Sequence, residues 1–192
     1  MKSKNGIKNI IVVLVLVALV VGYFFYLSNR NKNRPHEEDI KISPAQEIIL
    51  TNYDIEYPPT PKEVVKEYME ITKVLHNTDL EEEELTKVAL KLQELFDTEL
   101  VQNKSEEDYL KDLKSELATF RNNDYSIVNY YTSSSTDVEE YTMDGFKLAK
   151  LYGTYDIRTS AGTQALRDVF VLRKDDRGRW KIYGWQPVAN EE

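Results

Sequence analysis

An uncharged hydrophobic run near the start of the chain constrains the fold more than any other feature. Residues 10–27 read IIVVLVLVALVVGYFFYL, with no charged side chain among 18 residues. A helix rises about 1.5 Å per residue, so the run would span about 27 Å, close to the roughly 30 Å hydrocarbon core of a bilayer. Because a helix satisfies its own backbone hydrogen bonds in lipid, the run predicts a transmembrane helix.

A cleaved signal peptide is the alternative interpretation of this run. The apolar core of a signal peptide usually has about 7–15 residues and precedes a small-x-small cleavage site. Here the core is longer, and Ser28-Asn29-Arg30 follows it. We therefore predict an uncleaved single-pass anchor behind a basic, cytoplasmic tail formed by residues 1–9. The predicted location is the cell membrane, with the C-terminal domain outside the cytoplasm and the lipid bilayer as a partner.

Charge is divided unevenly along the chain. Residues 1–34 carry six basic residues and no acidic one, which leaves 19 basic against 33 acidic residues, a net charge of -14, in the remainder. An acidic domain repels phosphate backbones, so we expect no nucleic-acid partner. The chain has no cysteine, which excludes disulfides, thiolate zinc sites and cysteine nucleophiles.

A polar stretch without hydrophobic periodicity follows the hydrophobic run. Residues 28–56 are predicted to form a flexible linker. The apolar patch that includes Ile48 and Tyr53 is expected to pack along the domain as an extended arm. Pro58 and Pro59 stiffen the approach to the first helix. A soluble domain is predicted over residues 57–192.

Three amphipathic helices are predicted in the first half of this domain. Thr60-Pro61-Lys62-Glu63 is a capping box, and its helix should end near Asn77. Asp79 is the expected cap of the second helix and Ser105 that of the third, which should stop near Asn122. Each helix carries one apolar stripe. The stripes consist of Val64, Tyr68, Ile71 and Leu75; of Leu85, Val88, Ala89, Leu92, Leu95 and Phe96; and of Leu110, Leu113, Leu117 and Phe120.

From Tyr125 onward the hydrophobic period becomes that of β-strands. Asp144-Gly145 between two hydrophobic runs is a strong hairpin signal, and Gly153 is expected to mark a bulge or bend. Helices followed by hairpin-linked strands predict an α+β domain with three helices packed on one curved antiparallel sheet. The strands are predicted over residues 125–131, 146–158, 164–174 and 179–188, with another run before the Asp-Gly turn.

This order of elements, closing on a Trp-x-Ile-x-Gly-Trp strand, resembles the nuclear-transport-factor-2-like cone fold. The chain also resembles an uncharacterised family of single-pass membrane proteins from Gram-positive anaerobes, described as a domain of unknown function. The resemblance implies a location and a fold, and it supplies no activity and no catalytic residues. The residues that carry it are Tyr57-Pro58-Pro59-Thr60-Pro61-x-Glu63-Val64-Val65, Leu95-Phe96-Asp97 and Arg173-Lys174-Asp175-Asp176-x-Gly178-Arg179-Trp180-Lys181-Ile182-x-Gly184-Trp185.

No catalytic, cofactor-binding or metal-binding residue is predicted, and the chain is not expected to be an enzyme. His36 falls in the linker. His76 lies at a helix C-terminus, where a dipole interaction explains it better than a role as a base. Asp144 is explained by its turn. Exposed positions in strands or a flexible loop explain the remaining candidates, Asp156, Asp168 and Ser133-Ser134-Ser135.

Thirteen tyrosines are many for 192 residues, and tyrosine suits partner binding because an apolar ring carries a polar tip. We predict a non-enzymatic protein-interaction or assembly module that docks a protein partner or itself. The alternative is a small-ligand binder or an enzyme that uses the interior of the cone. That alternative requires a deep pocket with a few converging polar groups. An inert tether is a third hypothesis. The clustered tyrosines are Tyr125, Tyr130, Tyr131, Tyr141, Tyr152, Tyr155 and Tyr183.

Overall fold

Five helices precede five strands in residues 42–188, the part of the chain that the computed structural model describes. The predictions for the basic tail, the transmembrane helix and the first part of the linker lie outside the described residues. The helices are α1 (Pro44–Leu50), α2 (Pro61–Asn77), α3 (Glu82–Gln93), α4 (Thr98–Gln102) and α5 (Glu106–Asn122). The strands are β1 (Ser126–Thr132), β2 (Glu139–Met143), β3 (Phe146–Thr159), β4 (Gly162–Lys174) and β5 (Trp180–Pro187), with a 3-10 turn at Ser135–Asp137.

Side-chain caps determine where the longer helices begin. The Thr60 and Ser105 hydroxyls each accept a hydrogen bond from a backbone N–H in the first turn of α2 and α5, as predicted. The predicted cap of α3 is wrong, because this helix begins at Glu82 without a side-chain cap. Asp79 instead lies 3.2 Å from the Arg121 guanidinium. The acidic first turn of α3 complements the helix dipole and favours the same start.

The segment predicted as an extended arm contains helix α1. Ser43 accepts a hydrogen bond from the Gln46 backbone and donates its own backbone N–H to the Gln46 side chain, which completes a capping box. Ile48 is buried, and Tyr53 beyond the helix is buried with its hydroxyl 2.7 Å from Glu67. The prediction failed because a seven-residue helix is too short to show a clear apolar period.

The strands form one antiparallel sheet in the order β1-β3-β4-β5. β2 pairs with the first five residues of β3, and β1 pairs with the later part of β3 along the same edge. The far edge of β5 is met by the chain that follows α3. There the Ile182 N–H donates to the Leu95 carbonyl at 2.9 Å, and the Asp97 N–H donates to the Ile182 carbonyl at 2.8 Å. This parallel bridge ties the helical half to the sheet.

Two glycines in the sheet are required for different reasons. Asp144 and Gly145 have φ values of 52° and 82°, which a two-residue hairpin of type I′ needs, so the predicted hairpin is confirmed. Gly153 is not at a bulge, because it stays in register with both neighbouring strands. A Cβ there would lie 2.9 Å from the Met69 sulfur and 2.9 Å from the Phe170 ring. Close packing therefore explains this glycine.

The core lies between α2 and one face of the sheet, here called the inner face. Alternate side chains of β3 and β4 point inward, so that Leu151, Phe170 and Leu172 are fully buried. They meet Met69 and Ile71 of α2, which are also fully buried. The predicted helical stripes are confirmed as the buried sides of α2, α3 and α5, with Leu110 and Phe120 at the margin.

The predicted fold class is wrong as a whole, although its α+β core is right. It specified three soluble helices, whereas the described residues form five, because the Ser43 and Asp97 caps start two short helices that carry no long apolar stripe. It also began with a transmembrane helix at residues 10–27, which lie outside the described residues. Within residues 42–188, none of the helices has the length and hydrophobicity to cross a bilayer, so the structure gives that helix no support.

Candidate functional site

A cleft opens between the inner face of the sheet and helices α2 and α5. Its two lobes have volumes of about 430 and 590 Å³, within the range of about 300–1,000 Å³ that small-molecule sites occupy. The smaller lobe extends towards α3 and α4, and the larger lobe follows β3 and β4. The wall common to both lobes consists of Tyr68, Thr72, His76, Glu116 and Trp185.

Helical spacing places three of these wall residues in a row. Tyr68, Thr72 and His76 follow one another at intervals of four along α2, so their side chains lie on one helix face. Glu116 of α5 and Trp185 of β5 reach the same wall from other elements. The cleft therefore depends on both halves of the domain.

His76 is buried and has a partner that the sequence did not reveal. Its Nδ1 lies 2.8 Å from the Thr72 carbonyl oxygen, and its Nε2 lies 3.1 Å from a carboxylate oxygen of Glu116. Both ring nitrogens thus face oxygen atoms, which holds the ring between α2 and α5. The Phe120 ring lies edge-on at 4.7 Å between centroids. The dipole interpretation of His76 is incomplete, because the ring is also paired across the cleft.

The expectation that Asp168 lies on an exposed strand face is wrong. Asp168 is 7% exposed and lies on the inner face of β4, two residues before Phe170. Burial raises the pKa of its carboxyl above the usual 3.8, and no cation among residues 42–188 offsets that effect. The acid lines the larger lobe of the cleft. Asp168 shares the period-two alternation of Phe170 and Leu172, so strand geometry places it on their side, whereas the prediction put this charged residue on the exposed side.

Two buried hydroxyl groups in the cleft make no well-formed hydrogen bond. The Thr72 Oγ1 and the Tyr155 hydroxyl oxygen have no hydrogen-bond partner of good geometry among the described residues, although the Thr72 hydroxyl lies near enough to Tyr155 to oppose the rise in its pKa. Such a group costs about 1–3 kcal/mol when left unsatisfied, so it calls for a water or a ligand. Burial, reinforced by the Asp168 and Glu116 carboxylates, raises the pKa of the Tyr155 phenol. This side chain is therefore a protonated donor at neutral pH.

Aromatic side chains form the apolar part of the wall. Trp185 is 40% exposed at the mouth of the cleft. Its ring centroid lies 5.3 Å from that of Tyr68 and 5.5 Å from that of Phe96. Phe120 and Tyr125 extend this surface along the larger lobe, with centroids 5.6 Å apart. The cleft thus combines a wide aromatic surface with a few polar groups.

The other sequence candidates lie away from the cleft. Asp144 is in the β2–β3 turn, and the Asp156 carboxylate accepts a hydrogen bond from Tyr131 at 2.9 Å. Ser133 extends the strand pairing, because its hydroxyl accepts the Tyr152 N–H at 3.0 Å. His36 is outside the described residues. Along residues 42–188, no three His, Asp or Glu side chains come together as a metal site would require.

Sequence reasoning missed the four side chains that give the cleft its chemistry. The interval of four between Tyr68, Thr72 and His76 was a signal that could have placed Thr72. Glu116, Tyr155 and Trp185 carried no local signal, because they meet only through the pairing of distant elements. Tyr155 is one of the clustered tyrosines in the sequence, but the cluster alone does not predict that its hydroxyl lies in the cleft.

The fold and the cleft define an α+β domain that holds an open pocket between its helices and its sheet. Residues 1–185 match the family described as Domain of unknown function (DUF6715), and the chain belongs to that family. The predicted resemblance to a family described in those terms is confirmed to this extent. No curated protein matches the sequence. The family description names no fold and no activity, so the resemblance to the cone fold stays a prediction.

Proposed function

We propose that this domain binds a small, partly apolar ligand in the cleft. The observation that carries the proposal is the pair of unsatisfied hydroxyls, Thr72 Oγ1 and Tyr155 OH, on an open wall. Native proteins rarely leave buried polar atoms without partners. A ligand with a donor or an acceptor would satisfy both, while its apolar body would cover the aromatic side chains.

Binding without catalysis is the better match to the geometry. A general base needs a free lone pair within reach of the proton that it removes. The nitrogens of His76 are both directed at protein oxygens, 2.8 Å and 3.1 Å away. The paired His76 supports a binding site over a catalytic one. The expectation that the chain is not an enzyme stays a prediction.

Isothermal titration calorimetry on the full chain tests the proposal, with the neutral aromatic alcohol 2-naphthylmethanol as the probe. We expect the Trp185→Ala variant to bind this probe about tenfold more weakly, because the exposed ring that contacts the apolar body is lost. Tyr183→Ala is the matched control. Tyr183 lies on the same strand with a similar exposure, 42% against 40%, but its ring stacks on Arg173 away from the cleft.

Two results would overturn the proposed function. The first is the absence of binding to the unaltered chain. The second is equal binding by the Trp185→Ala variant and the unaltered chain, which would place the probe outside the cleft. Loss of binding in both single variants would indicate a general loss of structure, and circular dichroism of each variant separates that case.

A second candidate function, docking of a protein partner or a second copy, is favoured by a cluster on the opposite, outer face of the sheet. Leu148 is buried there although it lies outside the main core. Phe146 and Tyr183 are exposed, and the Arg173 guanidinium lies 4.8 Å and 4.7 Å from their ring centroids. Tyr141, also exposed, pairs with Leu148 across the strands. Aromatic and arginine side chains are enriched at interface hot spots.

Sedimentation velocity tests this second candidate in its self-association form. We expect the unaltered chain to show a concentration-dependent dimer that Phe146→Ser abolishes, because an exposed ring is removed from the centre of the cluster. Val128→Ser is the control, since Val128 is an exposed apolar residue of β1 outside the cluster. A dimer that persists in Phe146→Ser contradicts the assignment of this surface.

A further inference from the structure

The charges that line the cleft are unbalanced. Among the described residues, the wall of the larger lobe contains the carboxylates of Glu116 and Asp168 and no lysine or arginine. The smaller lobe contains one lysine among its described residues, Lys104, and its Nζ already lies 2.6 Å from an Asp112 carboxylate oxygen. A ligand in the larger lobe therefore meets negative protein charge without a competing cation from lysine or arginine.

One of the two carboxylates already has a partner. Glu116 lies 3.1 Å from the His76 ring, so these two side chains satisfy each other. Asp168 has no comparable neighbour, and it lies on the floor of the lobe at 7% exposure. A buried charge is costly unless it is paired, so the structure leaves one carboxylate in the cleft for an outside partner.

Aromatic rings surround the same space. The negative face of an aromatic ring attracts a cation held within about 6 Å of its centroid, most strongly for Trp and Tyr. An aromatic wall combined with a carboxylate suits an ammonium group, because the ring faces and the carboxylate both attract positive charge. The rings that line the larger lobe are those of Tyr68, Phe120, Tyr125, Tyr155 and Trp185.

We infer that the ligand of the cleft is a monovalent organic cation, a protonated amine attached to an apolar body. Its charged group lies beside Asp168, and its body rests against Trp185. This inference depends on the ligand-binding role proposed above and narrows it to one chemical class. A bare metal ion is a poorer match, since it requires several oxygen or nitrogen ligands, and no such group occurs within residues 42–188.

An anionic ligand is disfavoured by the same residues. It would bring a second negative charge towards Asp168 and Glu116 without a lysine or arginine to receive it. A neutral ligand can accept a hydrogen bond from Tyr155 but leaves the Asp168 charge uncompensated. Cationic, neutral and anionic ligands are therefore expected to differ in affinity. Probes that share one apolar body and differ only in charge can separate the three classes.

Calorimetric titration of the full chain at neutral pH with three naphthalene probes provides the test. The probes are 2-naphthylmethylammonium, 2-naphthylmethanol and 2-naphthoate. We expect the ammonium to bind about tenfold more tightly than the alcohol, and the carboxylate to bind most weakly. Asp168→Asn should remove the preference for the ammonium over the alcohol. Asp176→Asn, which removes one charge from an exposed turn, should retain the preference.

The outcomes separate two claims: that the cleft binds a ligand, and that this ligand is an organic cation. Equal or tighter binding of the alcohol overturns the organic cation and leaves the ligand-binding role in place. Failure of all three probes to bind counts against both. A preference that survives in Asp168→Asn and disappears in Glu116→Gln overturns the assignment to Asp168. A preference reduced equally by Asp168→Asn and Asp176→Asn would reflect the acidity of the whole chain, which also overturns the inference.

Discussion

Arg173 donates to both carboxylate oxygens of Asp97. This pair joins the end of strand β4 to the start of helix α4. The Arg173 Nε lies 2.9 Å from one oxygen of Asp97, and Nη2 lies 2.5 Å from the other. The Asp97 side chain is 5% exposed. It also caps α4 by accepting the Glu99 N–H at 2.9 Å. The Asp97 carboxylate therefore pairs with a partly buried arginine and caps a helix at the same time.

Replacing Asp97 by alanine should destabilise the domain strongly. The variant leaves the Arg173 guanidinium, whose side chain is 14% exposed, without its main partner and removes the α4 cap, so we expect the free energy of unfolding to fall by about 2–4 kcal/mol. Urea denaturation measures this change. Glu99→Ala is the control, because Glu99 also contacts Arg173 but is 58% exposed, and an exposed pair contributes about 0–1 kcal/mol. Equal losses in both variants would contradict the proposed difference.

Gly153→Ala should destabilise the sheet by overpacking. The added methyl group would lie 2.9 Å from both Met69 and Phe170, and inserting a methyl into a filled core costs about 1–3 kcal/mol. The control is Gly184→Ala, since a Cβ at Gly184 meets no atom within 4 Å. A Gly153→Ala variant as stable as the unaltered chain in thermal denaturation would show that Met69 and Phe170 yield without cost.

We expect helix α1 to stabilise the folded domain. Alanine substitutions at Ile48 and Leu50, one buried and one exposed, provide a matched test. Ile48 is 8% exposed and Leu50, two residues later, is 69% exposed. We expect Ile48→Ala to lower the free energy of unfolding by about 2–4 kcal/mol and Leu50→Ala to change it by less than about 0.5 kcal/mol. If both variants unfold at the same urea concentration as the unaltered chain, α1 does not stabilise the domain.

Features encoded by neighbouring residues were predictable from the sequence. The caps at Thr60 and Ser105 act within one helical turn, so the extents of α2 and α5 were predicted to within about two residues. The Asp144-Gly145 turn requires a positive φ at both positions, which few other residue pairs accept. The apolar stripes of the long helices repeat often enough to be recognised.

Features that depend on distant residues were not predictable in this way. The partners of Arg173 and His76 lie on elements far away in the sequence, and nothing near either residue identifies Asp97 or Glu116. Asp168 was assigned to the wrong side of its strand, because its charge was given more weight than its place in the alternation with Phe170 and Leu172. The cleft is formed by such long-range contacts, so the sequence predicted a domain without a site.

The acid at the floor of the cleft makes stability depend on pH in a definite direction. Burial raises the pKa of Asp168 above 3.8, so the folded chain holds this proton more tightly than the unfolded chain does. Stability from this group is therefore greatest below the unfolded pKa and declines as the pH rises through the folded pKa. The titratable groups that line the same lobe are Tyr68 and His76 of α2, Glu116 of α5, Tyr125 before β1, and Tyr155 of β3.

Asp168→Asn should therefore stabilise the domain at neutral pH and have little effect in acid. The amide resembles the protonated carboxyl in shape and stays uncharged at every pH, so the gain in stability over the unaltered chain should be smallest at about pH 4 and grow towards pH 7. Urea titrations of both chains across that range measure the difference. Asp176→Asn, in an exposed turn, should give a flat difference. An Asp168→Asn variant that is less stable at pH 7 would mean that the ionised carboxylate has a favourable partner, and the cleft would then have no unpaired charge to offer a ligand.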